Sequence, residues 1–458
     1  MNQDFLLALC KRHQAQLLEI TDDRVRIAVT GSPDANLLDA LRFATHRQID
    51  IECWTAEQLE KHQHQQQSAY DVTDENTSAV AWLDETLLQA LRRRASDIHI
   101  EPGEDAFRVR LRIDGVLHPL SALPLNTALG VMARLKVLGE LDIAERRLPQ
   151  DGQFSVRLAD QTVSFRLSTL PCRTGEKAVL RLLEQNDRPL TLDSLGMLAV
   201  QQADFYRAIS APQGLILVTG PTGSGKTLTL YSALGELNSP EINLCSVEDP
   251  VEIPLPGLNQ TQVNLKAGLD FQTVLRALLR QDPDVVMVGE IRDGETAEIA
   301  IKAAQTGHLV LSTLHTNSTV ETITRLEQMG IARWMLASAL EIIIAQRLVR
   351  RLCPHCRVPS PEPLPLPEGL CPQPIYPWEA RGCPHCYSGF YGRVALFEVL
   401  TLEQDLRQAI TDGESAQRIE QLAQERGMVT MFGHGLHAVE QGLTTLAEIY
   451  RVLGVPHE

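Results

Sequence analysis

Gly214-Leu215-Ile216-Leu217-Val218-Thr219-Gly220-Pro221-Thr222-Gly223-Ser224-Gly225-Lys226-Thr227 is the stretch from which the rest of the chain can be read. Its first part is apolar with no polar alternation, as in a strand buried on both faces of a parallel sheet. Gly220 to Thr227 then match G-x-x-x-x-G-K-[ST] in full. Leu228 to Leu237 follow with helical spacing. The glycines let the backbone wrap a phosphate with its N–H groups pointing inward. The helix N-terminus adds roughly half a positive charge. Lys226 can reach β- and γ-phosphates, and the Thr227 hydroxyl can ligate Mg²⁺. A glycine-rich turn with a chance lysine is the bland alternative; the strand before and the helix after count against it.

Further strands are expected at Asn243–Val247, Asp284–Gly289 and Leu309–Thr313, alternating with helices, which predicts an α/β domain. Two of them end in acids: Glu248-Asp249-Pro250-Val251-Glu252, and Gly289-Glu290 within Asp282 to Asp293. The second resembles a Walker B strand, with Gly where Asp is usual. Residues at the carboxyl ends of strands face the ligand crevice of an open α/β sheet. Hydrolysis of a bound nucleotide needs a group to orient or deprotonate water, and these acids are the candidates. His308 precedes the next strand and His315 follows it, which makes His315 a candidate γ-phosphate sensor. Arg276, Arg280 and Arg292 bracket the Walker B segment. Arg108, Arg110 and Arg112 share one face of an earlier strand by their period of two. Away from any acid run, they ask for an anion or a neighbouring subunit, unless they are simply a solvated face.

The 458 residues suggest roughly three domains of ~150 residues. Forty-two basic and fifty-eight acidic residues leave a net charge of −16, against a surface that grips nucleic acid or anionic lipid. No apolar run approaches the ~20 residues of a membrane span, and residues 1–19 lack the apolar core of a signal peptide. A cytoplasmic location is expected. Residues 1–62 read as a small N-terminal domain, with a strand at Val25–Val29 and a helix over Ala35–Ala44. Residues 63–78 read as a polar linker and 79–195 as an α+β domain with a hairpin at Asp114-Gly115. An ATPase-type α/β domain is expected over 196–350, a cysteine- and proline-rich module over 351–400, and a helical region over 401–458.

Five of the nine cysteines fall between Cys353 and Cys386. Cys353-Pro354-His355-Cys356 and Cys383-Pro384-His385-Cys386, with 26 residues between them, read as two hooks of a tetrahedral structural Zn²⁺ site. The proline-rich spacer cannot form a core alone, and a metal would supply the missing stability. A redox pair is the runner-up. Cys10, Cys53, Cys172 and Cys245 are expected to be plain buried thiols, and Cys371 has no assigned role.

Together with Arg94-Ala95-Ser96-Asp97-Ile98-His99-Ile100-Glu101, Arg110 to Gly115 and Leu148-Pro149-Gln150-Asp151-Gly152, these motifs make residues 79–455 resemble the ATPases of type II secretion and type IV pilus assembly, GspE/PilB-like, in their assembly branch. The resemblance implies a RecA-like P-loop ATPase domain behind a PAS-like α+β domain, with ATP as substrate and Mg²⁺ and Zn²⁺ as metals. It implies a homo-hexameric motor under an inner-membrane platform protein, acting indirectly on pilin subunits. By motif, Lys226 and Thr227 hold phosphate and Mg²⁺. Glu252 matches the general base, Glu290 the Walker B glutamate and His315 the sensor. Arg276, Arg280 and Arg292 match arginines around the nucleotide, and Arg110 and Arg112 those through which the N-terminal half approaches it. Cys353, Cys356, Cys383 and Cys386 match the zinc ligands. A retraction motor of the same superfamily is the alternative. A nucleic-acid motor fits less well with the acidic charge and 5% aromatic content.

Overall fold

A computed structural model of the chain describes residues 15–20, 24–30, 45, 48–54, 79–158, 161–183, 191–364 and 374–455. The chain divides into two compact units, Met1–Ile113 with Leu117–Leu182, and Asp114–Val116 with Leu183–Glu458.

The first unit starts with β1 (Gln16–Ile20), β2 (Arg24–Thr30) and β3 (Gln48–Trp54). β2 pairs antiparallel with β1 and parallel with β3. The strand expected at Val25–Val29 lies in β2; the expected helix over Ala35–Ala44 and linker 63–78 lie outside the described residues. A helix over 79–92 leads into a six-stranded sheet of order β6-β5-β4-β9-β8-β7. Its strands are β4 (Ala95–Glu101), β5 (Ala106–Ile113), β6 (Val116–Pro124), β7 (Gln150–Leu158), β8 (Gln161–Cys172) and β9 (Gly175–Leu183). Asp114 and Gly115 both have positive φ, 51° and 86°, as the expected hairpin requires. A helix over Leu125–Leu138 was not legible in the sequence. It buries Ala128, Val131, Met132 and Leu135 but exposes Leu125, Leu129 and Val137, so its apolar stripe has no clean edge. Lys136 ties it inward: the ammonium lies 2.6 Å from Glu176 Oε1, both side chains buried, and donates to the Glu145 carbonyl at 2.6 Å.

The second unit is built on a seven-stranded sheet of order β12-β11-β13-β14-β10-β15-β18. The strands are β10 (Gly214–Thr219), β11 (Leu244–Glu248), β12 (Leu258–Gln262), β13 (Val285–Val288), β14 (Leu309–Leu314), β15 (Leu340–Leu352) and β18 (Phe390–Thr401). All pair in parallel except β15 with β18. Leu215 and Leu217 point into one core, against the helices Phe271–Leu278, Gly294–Gln305 and Thr319–Gln328. Ile216 and Val218 point into the other, against Ala199–Ile209 and Lys226–Leu237. A third core joins the helices Met431–Glu440 and Leu446–Leu453 to β15 and β18.

One expected boundary is corrected. β18 crosses the limit drawn at 400 and belongs to the ATPase-type sheet, not to a separate cysteine module. The cysteine-rich segment is an excursion between two antiparallel strands of that sheet. The proline-rich spacer hid this, because β15 and β18 are its flanks. The excursion itself holds a short pair, β16 (Val358–Pro359) with β17 (Trp378–Glu379).

The buried ion pair of the first unit gives a stability test. Lys136→Met should cost about 3–5 kcal/mol in urea titrations, because it strands the Glu176 carboxylate in the core. Lys136→Met combined with Glu176→Leu should recover most of that loss.

Candidate functional site

The carboxyl ends of β10, β14, β13 and β11 lie side by side in that order. Gly220, Gly223 and Gly225 of the loop after β10 take positive φ of 146°, 78° and 87°. A Cβ on Gly220 would lie 2.4 Å from the Gln346 carbonyl oxygen, and one on Gly225 2.9 Å from Gln346 Nε2. At Gly223 it would meet nothing within 4 Å. The loop is thus pressed onto β15 on one side and open at Gly223. The helix Lys226–Leu237 starts directly after it with no side-chain cap, leaving its N–H groups to an anion. Among the described residues, buried Ser224 Oγ has no hydrogen-bond partner and none engages the Thr227 hydroxyl. Lys226 is 8% exposed and donates to the carbonyls of Gly220 (2.7 Å) and Pro221 (3.0 Å). Burial brings its pKa down to about 8; Glu290 works against the shift and Arg347 adds to it.

Hydroxyls lock the neighbouring strand ends. Thr219 Oγ1 accepts from Thr316 N at 2.9 Å and pairs with Thr316 Oγ1 at 2.6 Å. Ser312 Oγ donates to the Val288 carbonyl and Thr313 Oγ1 to that of Gly289, each at 2.7 Å. This register brings His315 Nε2 to 3.3 Å from Glu290 Oε2. Arg292 hydrogen-bonds Glu290 and lies 3.8 Å from Asp249. Burial pushes the Glu290 carboxyl up, but Arg292 and His315 outweigh it and hold the group below its usual range.

The acids after β11 differ in their surroundings. Glu248 is buried and accepts from Ser246 Oγ (2.5 Å), Gln260 Nε2 (3.1 Å) and the Tyr231 hydroxyl. Burial and Glu248 both push the Tyr231 phenol up. Glu252 is exposed and its carboxylate has no hydrogen bond or ion pair among the described residues.

Of the arginines expected around this site, only Arg292 stands beside Glu290. Arg276 pairs with Glu295 at 2.5 Å and lines an open groove with Lys302 and His308. Arg280 donates to the Arg276 carbonyl at 2.8 Å. In the first unit, the arginine face of β5 is corrected: it does not stand away from acids. Register sets Asp97 opposite Arg112 and Glu101 opposite Arg108. Glu101 lies 2.8 Å from Arg110, and Asp97 lies 3.7 Å from Arg112 and 2.9 Å from Arg181. Burial would raise the Glu101 carboxyl, but Arg110 and Lys177 take it down to about 2. The sequence reading missed this because the acids sit on the adjacent strand, β4.

The cysteine hooks converge. Cys353 and Cys383 Sγ lie 3.8 Å apart, as do Cys356 and Cys386, and Cys383 and Cys386 lie 3.6 Å apart. Four thiolates about 2.3 Å from a tetrahedral metal would be about 3.8 Å apart, whereas a disulfide would close to about 2 Å. Cys245 is buried as expected, but Cys172 is exposed at the end of β8. Cys10 and Cys371 lie outside the described residues.

Three residues beside the loop were not singled out from sequence: Tyr231, Gln346 and Arg347. The Gln346-Arg347 pair did carry a signal, since it interrupts an apolar run from Ile342 to Val349.

Among curated proteins, the chain is 60% identical to the "Protein transport protein HofB homolog" of Escherichia coli, over the full length of both. It is 46% identical to the "Type IV pilus assembly ATPase PilB" of Acinetobacter baylyi, over 83% of this chain and 67% of that protein. Among solved structures, the pilus retraction motor PilT with bound ADP matches with a TM-score of 0.54 and 28% identity, over 82% of this chain and 97% of that one. Residues 72–451 match the family described as "Type II/IV secretion system protein", and the chain belongs to that family.

Proposed function

We propose that this protein is a motor that hydrolyses ATP to ADP and phosphate and couples the reaction to assembly of a type IV pilus or a type II secretion pseudopilus. The observation that carries the reading is the open glycine loop with buried Lys226 beside the Glu290–His315 pair, on adjacent ends of one parallel sheet. The backbone N–H groups from Gly220 to Gly225 cradle the phosphates, and Lys226 leaves its two carbonyls to meet them. Thr227 would be the protein ligand for Mg²⁺, which would neutralise charge developing on the phosphates. Glu252 accepts the proton of the attacking water. Glu290, kept ionised by Arg292, orients the reacting groups with His315. Assembly is favoured over retraction by the 46% identity to the type IV pilus assembly ATPase PilB, against 28% to the retraction motor PilT.

Cys353, Cys356, Cys383 and Cys386 would hold Zn²⁺, which would tie together the base of the excursion between β15 and β18. The antiparallel sheet of the first unit serves as a PAS-like domain. As a homo-hexamer, the protein would bring Arg110 and Arg112 of that domain, and Arg276 and Arg280, to nucleotide sites. No helix among the described residues is long and apolar enough to cross a membrane. We assign it to the cytoplasmic face of the inner membrane, held there by a platform protein, with pilins as indirect partners.

Lys226→Ala should abolish phosphate release by the purified protein while leaving its circular dichroism unchanged; retained turnover would exclude the loop as the ATP site. Glu252→Gln should bind ATP normally and lose turnover by at least about 100-fold; normal turnover would move the base elsewhere.

Because Lys226 titrates at about 8 without nucleotide, and a bound polyphosphate raises that value, affinity should be flat below pH 8 and fall above it. Binding near pH 9 should take up protons, seen by calorimetry in buffers of different ionisation heat, and binding near pH 7 should not. Equal proton uptake at both would exclude Lys226 as the phosphate cation.

Elemental analysis of protein purified without chelator should find about one zinc per chain. Cys383→Ser should lose it and melt earlier. Wild-type protein free of zinc would end the metal reading.

A further inference from the structure

Arg347 is 8% exposed, yet among the described residues it makes no ion pair. Its guanidinium is held only by neutral acceptors. Nη1 donates to the Gln346 carbonyl at 3.0 Å, and Nη2 to the main-chain oxygen and Oδ1 of Asn317, both at 3.1 Å. Glu321 and Glu398 act on it only from beyond ion-pair range, and burial pulls its pKa down. A buried cation without a carboxylate is costly unless an anion arrives to offset it. Nη1 lies 3.2 Å from where a Cβ of Gly220 would stand, directly behind the phosphate loop. Its charge is felt at Lys226.

The other end of the fork leads to the loop that carries His315. That loop is fastened residue by residue: His315 to Glu290, Thr316 to Thr219, and Asn317 to Arg347. The last is the hydrogen bond, among the described residues, that ties Asn317 to β15 beside the phosphate loop.

We infer that Arg347 is a positioning residue for ATP turnover, with two separable parts: its charge supports the triphosphate through the loop backbone, and its fork holds the Asn317 end of the His315 loop in register. This rests on the nucleotide site proposed above. In the low-dielectric surroundings of the buried loop, a fixed cation acts on a phosphate without direct contact. The fork needs the planar geometry of guanidinium, which an ammonium does not reproduce.

The test measures binding of a fluorescent ATP analogue and steady-state ATP turnover on the full-length protein. Arg347→Gln should weaken binding about tenfold and also lower kcat, a scale set by hydrogen bonds and charges in a buried site. Arg347→Lys should bring Kd back to within about threefold of wild type while kcat stays about tenfold low. Asn317→Ala keeps the charge and removes one acceptor, so it should lower kcat with Kd unchanged. A merely structural arginine would shift Kd and kcat together, in step with the melting temperature, in every variant. That pattern, or wild-type constants in Arg347→Lys and Asn317→Ala, overturns the inference. If Arg347→Gln does not fold, the other two variants decide alone. Wild-type protein that fails to bind the analogue refutes the nucleotide site itself, a result distinct from unchanged variants on an active background.

Discussion

A strand buried on both faces can offer polar groups only at its ends. Every residue of β10, β11, β13 and β14 is buried. Parallel pairing then gathers all four carboxyl ends at one edge, with neighbouring strands about 4.8 Å apart. The residues that follow these four strands therefore share one short row of loops. Those few hydroxyls that do sit inside the strands cannot be left unpaired. Thr219, Ser312 and Thr313 spend theirs on the adjacent strand end. The same requirement that satisfies the core also fixes the relative positions of the phosphate loop, Glu290 and His315.

The cysteine excursion follows from the other side of the sheet. Cys353 comes directly after β15, and Cys386 stands four residues before β18 begins. Four sulfurs at 3.6–3.8 Å spacings lie together at the base of this segment. The C-terminal helices add to this closure. Leu352 N donates to the Leu443 carbonyl at 2.8 Å, and Arg350 lies 2.6 Å from Glu448. Arg350 also lies over the ring of Phe390 at 4.1 Å, bridging the two strands that flank the excursion. The module is thereby made continuous with the seven-stranded sheet.

What could be read from sequence was whatever lies in a continuous run. The phosphate loop, the acids after β11 and β13, His315 and both cysteine hooks are local patterns, and each appears where its spacing implied. What escaped depends on pairing between distant segments. The Asp97 and Glu101 carboxylates neutralise the β5 arginines from the next strand, which no spacing within β5 reveals. β15 and β18 form one antiparallel pair across the cysteine excursion, so a break in composition was mistaken for a break in the domain. The helix Leu125–Leu138 was lost because apolar side chains appear on its exposed side as well as its buried one. Arg347 was lost because the polar pair Gln346-Arg347, though it breaks the apolar run Ile342–Val349, matches no motif; only the fold shows that it backs Gly220.

Three glutamates lie at or just beyond the carboxyl ends of β11 and β13, and their surroundings differ. A general base needs a lone pair free for the water proton. Glu248 has both oxygens occupied, by donors from Ser246, Gln260 and Tyr231. Tyr231 belongs to the helix that follows the phosphate loop, so Glu248 fastens that helix to β11. Glu290 is occupied by Arg292 and faces His315, and its depressed pKa makes it a poor proton acceptor but a stable negative charge. Of the three, Glu252 has no hydrogen bond or ion pair among the described residues. It stands beyond the strand end, four residues past Glu248, where the chain has turned at Pro250. The proposed base is thus the acid with no hydrogen bond among the described residues, whereas Glu248 and Glu290 are both engaged by neighbouring side chains.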